Sequence, residues 1–250
     1  MDVDPRWHES FFGEDWLRIA LSIPDERADQ QTEFVVSALE LAPGARVLDL
    51  ASGHGRHSAR LARLGFDVTG LDVSASSLEL AREMEPAAEY VEGDMRELPF
   101  EGASFDAAIN LFTAFGYFED EADDQRVLNE VARVLRPGGA FLIDTLNPPG
   151  LFGGYRGRHW DRLDDGTLML EEHQYDVVTG RANTEWTLIF ADGERKELRH
   201  SVRAYTAPEL GRLLSQAGLA LTGSWGDFDG SELTRESRRL ILRASKQAQS

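Results

Sequence analysis

The segment VLDLASGHGRHS, residues 47–58, holds the residue types best suited to gripping a ligand. An apolar run ends in Asp49, passes small residues at 51, 53 and 55, and enters a helical segment at Arg56. Glycine tolerates a tight turn and lets a ligand lie against bare backbone. The helix start beyond it offers unpaired N–H donors and the positive end of a dipole. A second apolar run ends in Asp72, 23 positions after Asp49. At the carboxyl edge of an open α/β sheet such an acid can accept from both hydroxyls of a ribose. A third acid, Asp94, closes the run YVEGD. Taken singly each has a plainer reading: Asp72 as a helix cap, Asp94 and Glu92 as solvated loop acids. Together they describe a nucleotide-type binding edge.

Positioning these residues requires a sheet. Arg46–Leu50, Asp67–Leu71, Glu89–Glu92, Phe105–Leu111 and Ala140–Thr145 read as strands. They alternate with helices over Arg56–Leu64, from an N-cap at Ser74 through Met84, and over Glu121–Leu135, which Pro137-Gly138-Gly139 stops. The alternation predicts an α/β fold, a Rossmann-like doubly wound and mainly parallel sheet. After Asn147 three strand-like runs follow, Thr167–Val178, Ala182–Phe190 and Glu197–Tyr205, with turns at Thr179-Gly180 and Ala191-Asp192-Gly193. They predict an inserted antiparallel β meander whose exposed tip, Thr179–Arg181, should tolerate replacement. Thr206-Ala-Pro-Glu209 is a capping box opening the helix Glu209–Ala217. Leu219–Trp225 and Arg239–Ala244 then predict a C-terminal antiparallel hairpin that completes the main sheet. The expected organisation is one domain over residues 1–250. Residues 1–40 form a helical lid, 41–147 and 206–250 the Rossmann-like core, and 148–205 a β insertion.

Asp49-x-Ala51-x-Gly53-x-Gly55 resembles the first motif of class I S-adenosylmethionine-dependent methyltransferases, with alanine in place of its first glycine. Asp72, Asp94-Met95, FDAAINLF and VARVLRPGGAFLID follow in that family's order and spacing. The resemblance is close over residues 34–145 and looser beyond. It implies that Asp49 and the Ala51–Gly53 backbone hold the methionine end of S-adenosylmethionine, with Gly55 in the same turn and Arg56 meeting the carboxylate. It also implies that Asp72, beside Val73, takes the ribose hydroxyls, Asp94 the adenine amino group and Met95 the ring edge. Asn110 and Leu111 would pass close to the sulfonium. Two rivals differ in class: a non-catalytic S-adenosylmethionine-binding protein, and an NAD-dependent oxidoreductase. The dinucleotide fingerprint is G-x-G-x-x-G, and Gly53-x-Gly55-x-x-Ser58 lacks its third glycine. Asp49 would moreover repel a diphosphate and attract an ammonium.

The acceptor side is less explicit. The resemblance to small-molecule methyltransferases implies transfer to N or O, less readily C, beneath the insertion, and a homodimer or larger assembly. Phe115, Tyr117 and Phe118, after the fourth strand, are candidates to shape the acceptor pocket, as are Phe12 and Trp16 from the lid. Tyr117, His159, His173, His200 and Tyr205 are the candidates for a general base. A formal charge of −18 argues against a nucleic-acid partner, since phosphate binding needs clustered Lys and Arg. The chain has no cysteine and no HExxH pattern, so no metal site is expected. No apolar run reaches the roughly 18 residues of a membrane span, and MDVDPRWHES has no signal-peptide character. A cytoplasmic protein is the expectation.

Overall fold

The computed structural model describes residues 3–22, 26–154 and 157–247, and the remaining parts of the assigned lid, insertion and core lie outside the described residues. Three helices come first, α1 (His8–Phe11), α2 (Glu14–Ser22) and α3 (Glu26–Leu39). Strands and helices then alternate: β1 (Arg46–Leu50), α4 (Arg56–Arg63), β2 (Asp67–Asp72), α5 (Ala75–Met84), β3 (Glu89–Glu92), β4 (Phe105–Asn110), α6 (Glu121–Val134) and β5 (Leu135–Leu146). A short α7 (Pro148–Gly154) leads to β6 (Arg158–Arg162), β7 (Leu168–Asp176), β8 (Arg181–Ile189) and β9 (Arg195–Arg203). The chain closes with α8 (Ala207–Gln216), β10 (Leu219–Trp225) and β11 (Arg239–Lys246).

The main sheet has the order β10-β11-β5-β4-β1-β2-β3, and β11 alone runs against its neighbours. Val47, Leu48 and Leu50 of β1 are all fully buried, as a parallel strand covered on both faces requires. Val35, Leu61 and Leu78 cover one face, and Val127, Leu128, Val131 and Leu213 the other. Each such side chain contributes about 1.5–3 kcal/mol through burial. From β1 the chain winds outward through β2 and β3, and from β4 it winds the other way. The gap between β1 and β4 is therefore a topological switch point, where ligands of such sheets bind.

The second sheet, β6-β7-β8-β9, is antiparallel throughout. It has four strands, not the three expected. All five residues of β6 are exposed, so no apolar alternation announced it; pairing of Arg158–Arg162 with β7 makes it a strand. The helix α6 ends at Val134 and β5 begins at Leu135, earlier than the Pro-Gly-Gly stop suggested, because a residue before proline, here Arg136, is pushed out of helical conformation. The N-terminal helices pack on this second sheet: Trp7 and Phe11 against Val202, and Ile19 against Leu188 and Phe190.

Candidate functional site

A cavity opens at the carboxyl ends of β1, β2 and β4. Asp49, Ala51, Gly53, Arg56, Asp72, Val73, Asp94, Met95 and Leu111 all line it. Asp49 is buried and accepts from the Ser58 hydroxyl at 2.6 Å, which explains a serine where a dinucleotide fingerprint would have glycine. Burial, with Asp72 nearby, pushes its pKa up to about 6 despite that bond. Asp72 accepts the Gly53 N–H at 2.8 Å and the Ser74 N–H at 2.9 Å, one on each oxygen, and burial raises its pKa as well. Ser74, not Asp72, is the N-cap of α5; Asp72 instead braces the glycine turn and the Ser74 backbone while lining the cavity. Neither acid forms a salt bridge among the described residues. Asp94 instead receives a fork from Arg96, which outweighs burial and lowers its pKa.

Ala51 sits at φ 59°, the left-handed region that favours glycine, so the departure from the motif is a strained position held by its surroundings. Two expected ligand residues stand off the cavity wall. Gly55 begins α4 at φ 76°, and a Cβ there would meet Tyr90 Oη at 2.8 Å and Ala81 Cβ at 2.9 Å. Its role is close helix packing. Asn110 is buried behind the wall, donating to Leu50 O at 3.0 Å and Ala114 O at 3.1 Å, and so staples β1 to the loop after β4 across the switch point.

The loop after β4 holds a residue that sequence reasoning missed. Phe112 and Thr113 are consecutive non-glycine residues at φ 60° and 63°. Buried Asp144 holds them: its carboxylate accepts Phe112 N–H at 2.8 Å and its carbonyl accepts Thr113 N–H at 3.0 Å. Arg239 pairs with the same carboxylate, and Arg56 and Arg239 lie 4.0 and 5.2 Å from the Phe112 ring centre. Such strain at a cavity persists only where neighbours over-determine it.

A second cavity of about 760 Å³ lies between this loop, the N-terminal helices and the inserted sheet. Phe12, Trp16, Phe112 and Tyr117 line both cavities. His159, His173 and His200 line the second, while Phe118 faces the first. The segment between α1 and α2 is tied to the start of α5 by Ser74, whose hydroxyl donates to Phe12 O at 2.9 Å. Two candidates are excluded from either wall. Phe115 is a core residue, and Tyr205, 1% exposed, donates to buried Asp124 at 2.7 Å. Burial pushes Asp124 up to about 7 and holds Tyr205 far above a phenol's usual value, so Tyr205 is a structural hydroxyl and not a base. Burial also raises Tyr117, leaving it a hydrogen-bond donor at neutral pH. His200 is pushed down to about 4 by burial, so its imidazole is neutral. The hairpin tip is not free to vary as expected. Arg181 reaches Phe118 O at 3.0 Å and Ser201 O at 2.8 Å, tying the inserted sheet to the loop that lines both cavities.

Among the described residues no group of three or more His, Asp or Glu is placed to hold a metal, and no helix is long and apolar enough to cross a membrane. Residues 47–139 match a methyltransferase domain family. The chain is 30% identical to a glycine/sarcosine N-methyltransferase of Halorhodospira halochloris over 82% of its own length and 76% of that protein's. It is 27% identical to the YqeM protein of Bacillus subtilis, over 87% of this chain and 90% of that one. The fold matches the CcbJ methyltransferase of Streptomyces caelestis with a TM-score of 0.78 at 23% identity, covering 89% and 90% of the two chains.

Proposed function

From the premise that this chain belongs to the class I S-adenosylmethionine-dependent methyltransferases, an enzyme family with that cofactor, we propose that it methylates a nitrogen or oxygen of a small-molecule acceptor in the second cavity. The observation that carries this reading is the shared wall. Phe12, Trp16, Phe112 and Tyr117 border both cavities, so a donor in one and an acceptor in the other would meet there. The first cavity suits the cofactor chemically. Two buried carboxylates that form no salt bridge among the described residues, Asp49 and Asp72, would receive an ammonium and a ribose diol, and Met95 and Leu71 offer apolar surface to a purine. Asp94 would take the adenine amino group; Ala51, Gly53, Arg56, Val73 and Leu111 complete the seat.

Bound there, S-adenosylmethionine supplies an electrophilic methyl on sulfonium. The chain's share is to orient the two partners and exclude water, an effect worth roughly 7–11 kcal/mol when alignment is good. The strained Phe112–Thr113 turn, braced by Asp144, would position the ring that separates them. A small-molecule acceptor, nitrogen before oxygen, is favoured by the N-methyltransferase relative. A homodimer is part of the same reading, checked by light scattering. Incubation with S-adenosylmethionine and a panel of small amines and alcohols, followed by mass spectrometry for S-adenosylhomocysteine, tests the proposal. Cofactor binding without turnover across every acceptor class would instead favour a non-catalytic binder.

A further inference from the structure

The second cavity carries a partly buried carboxylate, Glu171, among aromatic rings. In cross-strand register, His159, Glu171 and Trp186 form one row of the inserted sheet, and His173, Thr184 and His200 the next. Glu171 Oε2 accepts the Trp186 indole N–H at 3.2 Å and faces His173 Nε2 at 3.1 Å. His173 Nδ1 meets the Thr184 hydroxyl at 2.9 Å, so the ring bridges Thr184 and Glu171. These bonds outweigh burial and hold Glu171 below the usual carboxylate range. Its side chain is 17% exposed, and Oε1 makes no hydrogen bond among the described residues.

The surroundings favour a cation. His200 is neutral and adds no charge. Trp7, Phe11, Trp16 and Trp186 supply ring surface, and aromatic faces attract cations through their quadrupole. Arg238, on the same wall, is exposed and therefore screened by water. The chain's formal charge of −18 favours the approach of cations over long range. Among the described residues the buried His200 Nδ1 has no hydrogen-bond partner, so an acceptor nitrogen there would receive an ammonium proton.

We propose that the acceptor is a protonatable amine on an apolar body, selected by the Glu171 carboxylate and the rings of Trp16 and Trp186. This rests on the two-cavity reading above. The test uses the full chain saturated with S-adenosylhomocysteine, titrated by calorimetry with benzylamine, benzyl alcohol and benzoate. Benzylamine should bind at least tenfold tighter than either, and E171Q should erase that preference while leaving S-adenosylhomocysteine affinity unchanged. Equal binding of benzyl alcohol or benzoate, absence of benzylamine binding, or an unchanged preference in E171Q each overturns the inference. If E171Q does not fold, the preference of the unaltered chain decides it alone. Failure to bind S-adenosylhomocysteine at all would instead strike the two-cavity reading itself.

Discussion

Lowering the pH from 7 to 5 should weaken S-adenosylhomocysteine about tenfold, with Asp49 as the titrating group. Burial first, then Asp72, pushes its pKa up to about 6, while Ser58 and Arg56 oppose the shift. If the ligand's ammonium needs the carboxylate form, the dissociation constant rises by a factor of about 1.1 at pH 7 and about 11 at pH 5, a difference of about 1.4 kcal/mol. The sign follows from linkage: binding favours the ionised form, so affinity is lost as pH falls through about 6. The free chain behaves oppositely. Its Asp49 pKa lies above the ordinary 3.8, so protonation favours the fold, and this group adds stability as pH falls from about 6 towards 4. Weaker binding at pH 5 therefore cannot be charged to unfolding driven by Asp49. Burial shifts Asp72 in the same direction. Asp49→Asn isolates the contribution of the Asp49 carboxylate. The assay is calorimetry at five pH values between 5 and 7. A flat profile, or a tenfold slope that survives in Asp49→Asn, refutes the reasoning.

Four further outcomes follow from the geometry. Asp72→Ala should abolish measurable S-adenosylhomocysteine binding in a folded chain, since charge-assisted bonds are worth roughly 1.5–3 kcal/mol each; unchanged calorimetry would remove Asp72 from the site. Ala51→Gly should raise stability by about 0.5–1 kcal/mol, relief of left-handed strain less glycine's entropy, and a lower denaturation midpoint would contradict it. Tyr205→Phe strands buried Asp124 and should cost about 1–3 kcal/mol of stability, read by urea unfolding, with cofactor affinity unchanged. Arg181→Ala should lower turnover while leaving S-adenosylhomocysteine affinity within about threefold (roughly 0.65 kcal/mol), because its carbonyl contacts hold the shared wall; steady-state kinetics identical to those of the unaltered chain would show the tip to be silent.

The order of acids at strand ends was legible in the sequence, because a strand's carboxyl terminus and the turn after it are local, periodic features. Asp49, Asp72 and Asp94 could be placed on one sheet edge that way, and so could the Ser74 cap and the Thr206 capping box, both of which the structure contains. Gly55 and Asn110 sit in the right segments, yet their atoms face Tyr90 and Leu50, partners 35 and 60 positions away. The brace on Phe112 comes from Asp144, the tie on the loop from Arg181, and the fate of Tyr205 from Asp124, 81 positions upstream. None of these pairings leaves a spacing signal, because packing brings the partners together from different elements. The strand β6 shows the same limit, since its five exposed residues become a strand only by bonding to β7. Local periodicity therefore determined the elements and the acids they carry. Long-range packing decided which side chains reach the cavities, because burial and hydrogen bonding between distant segments are properties of the closed fold.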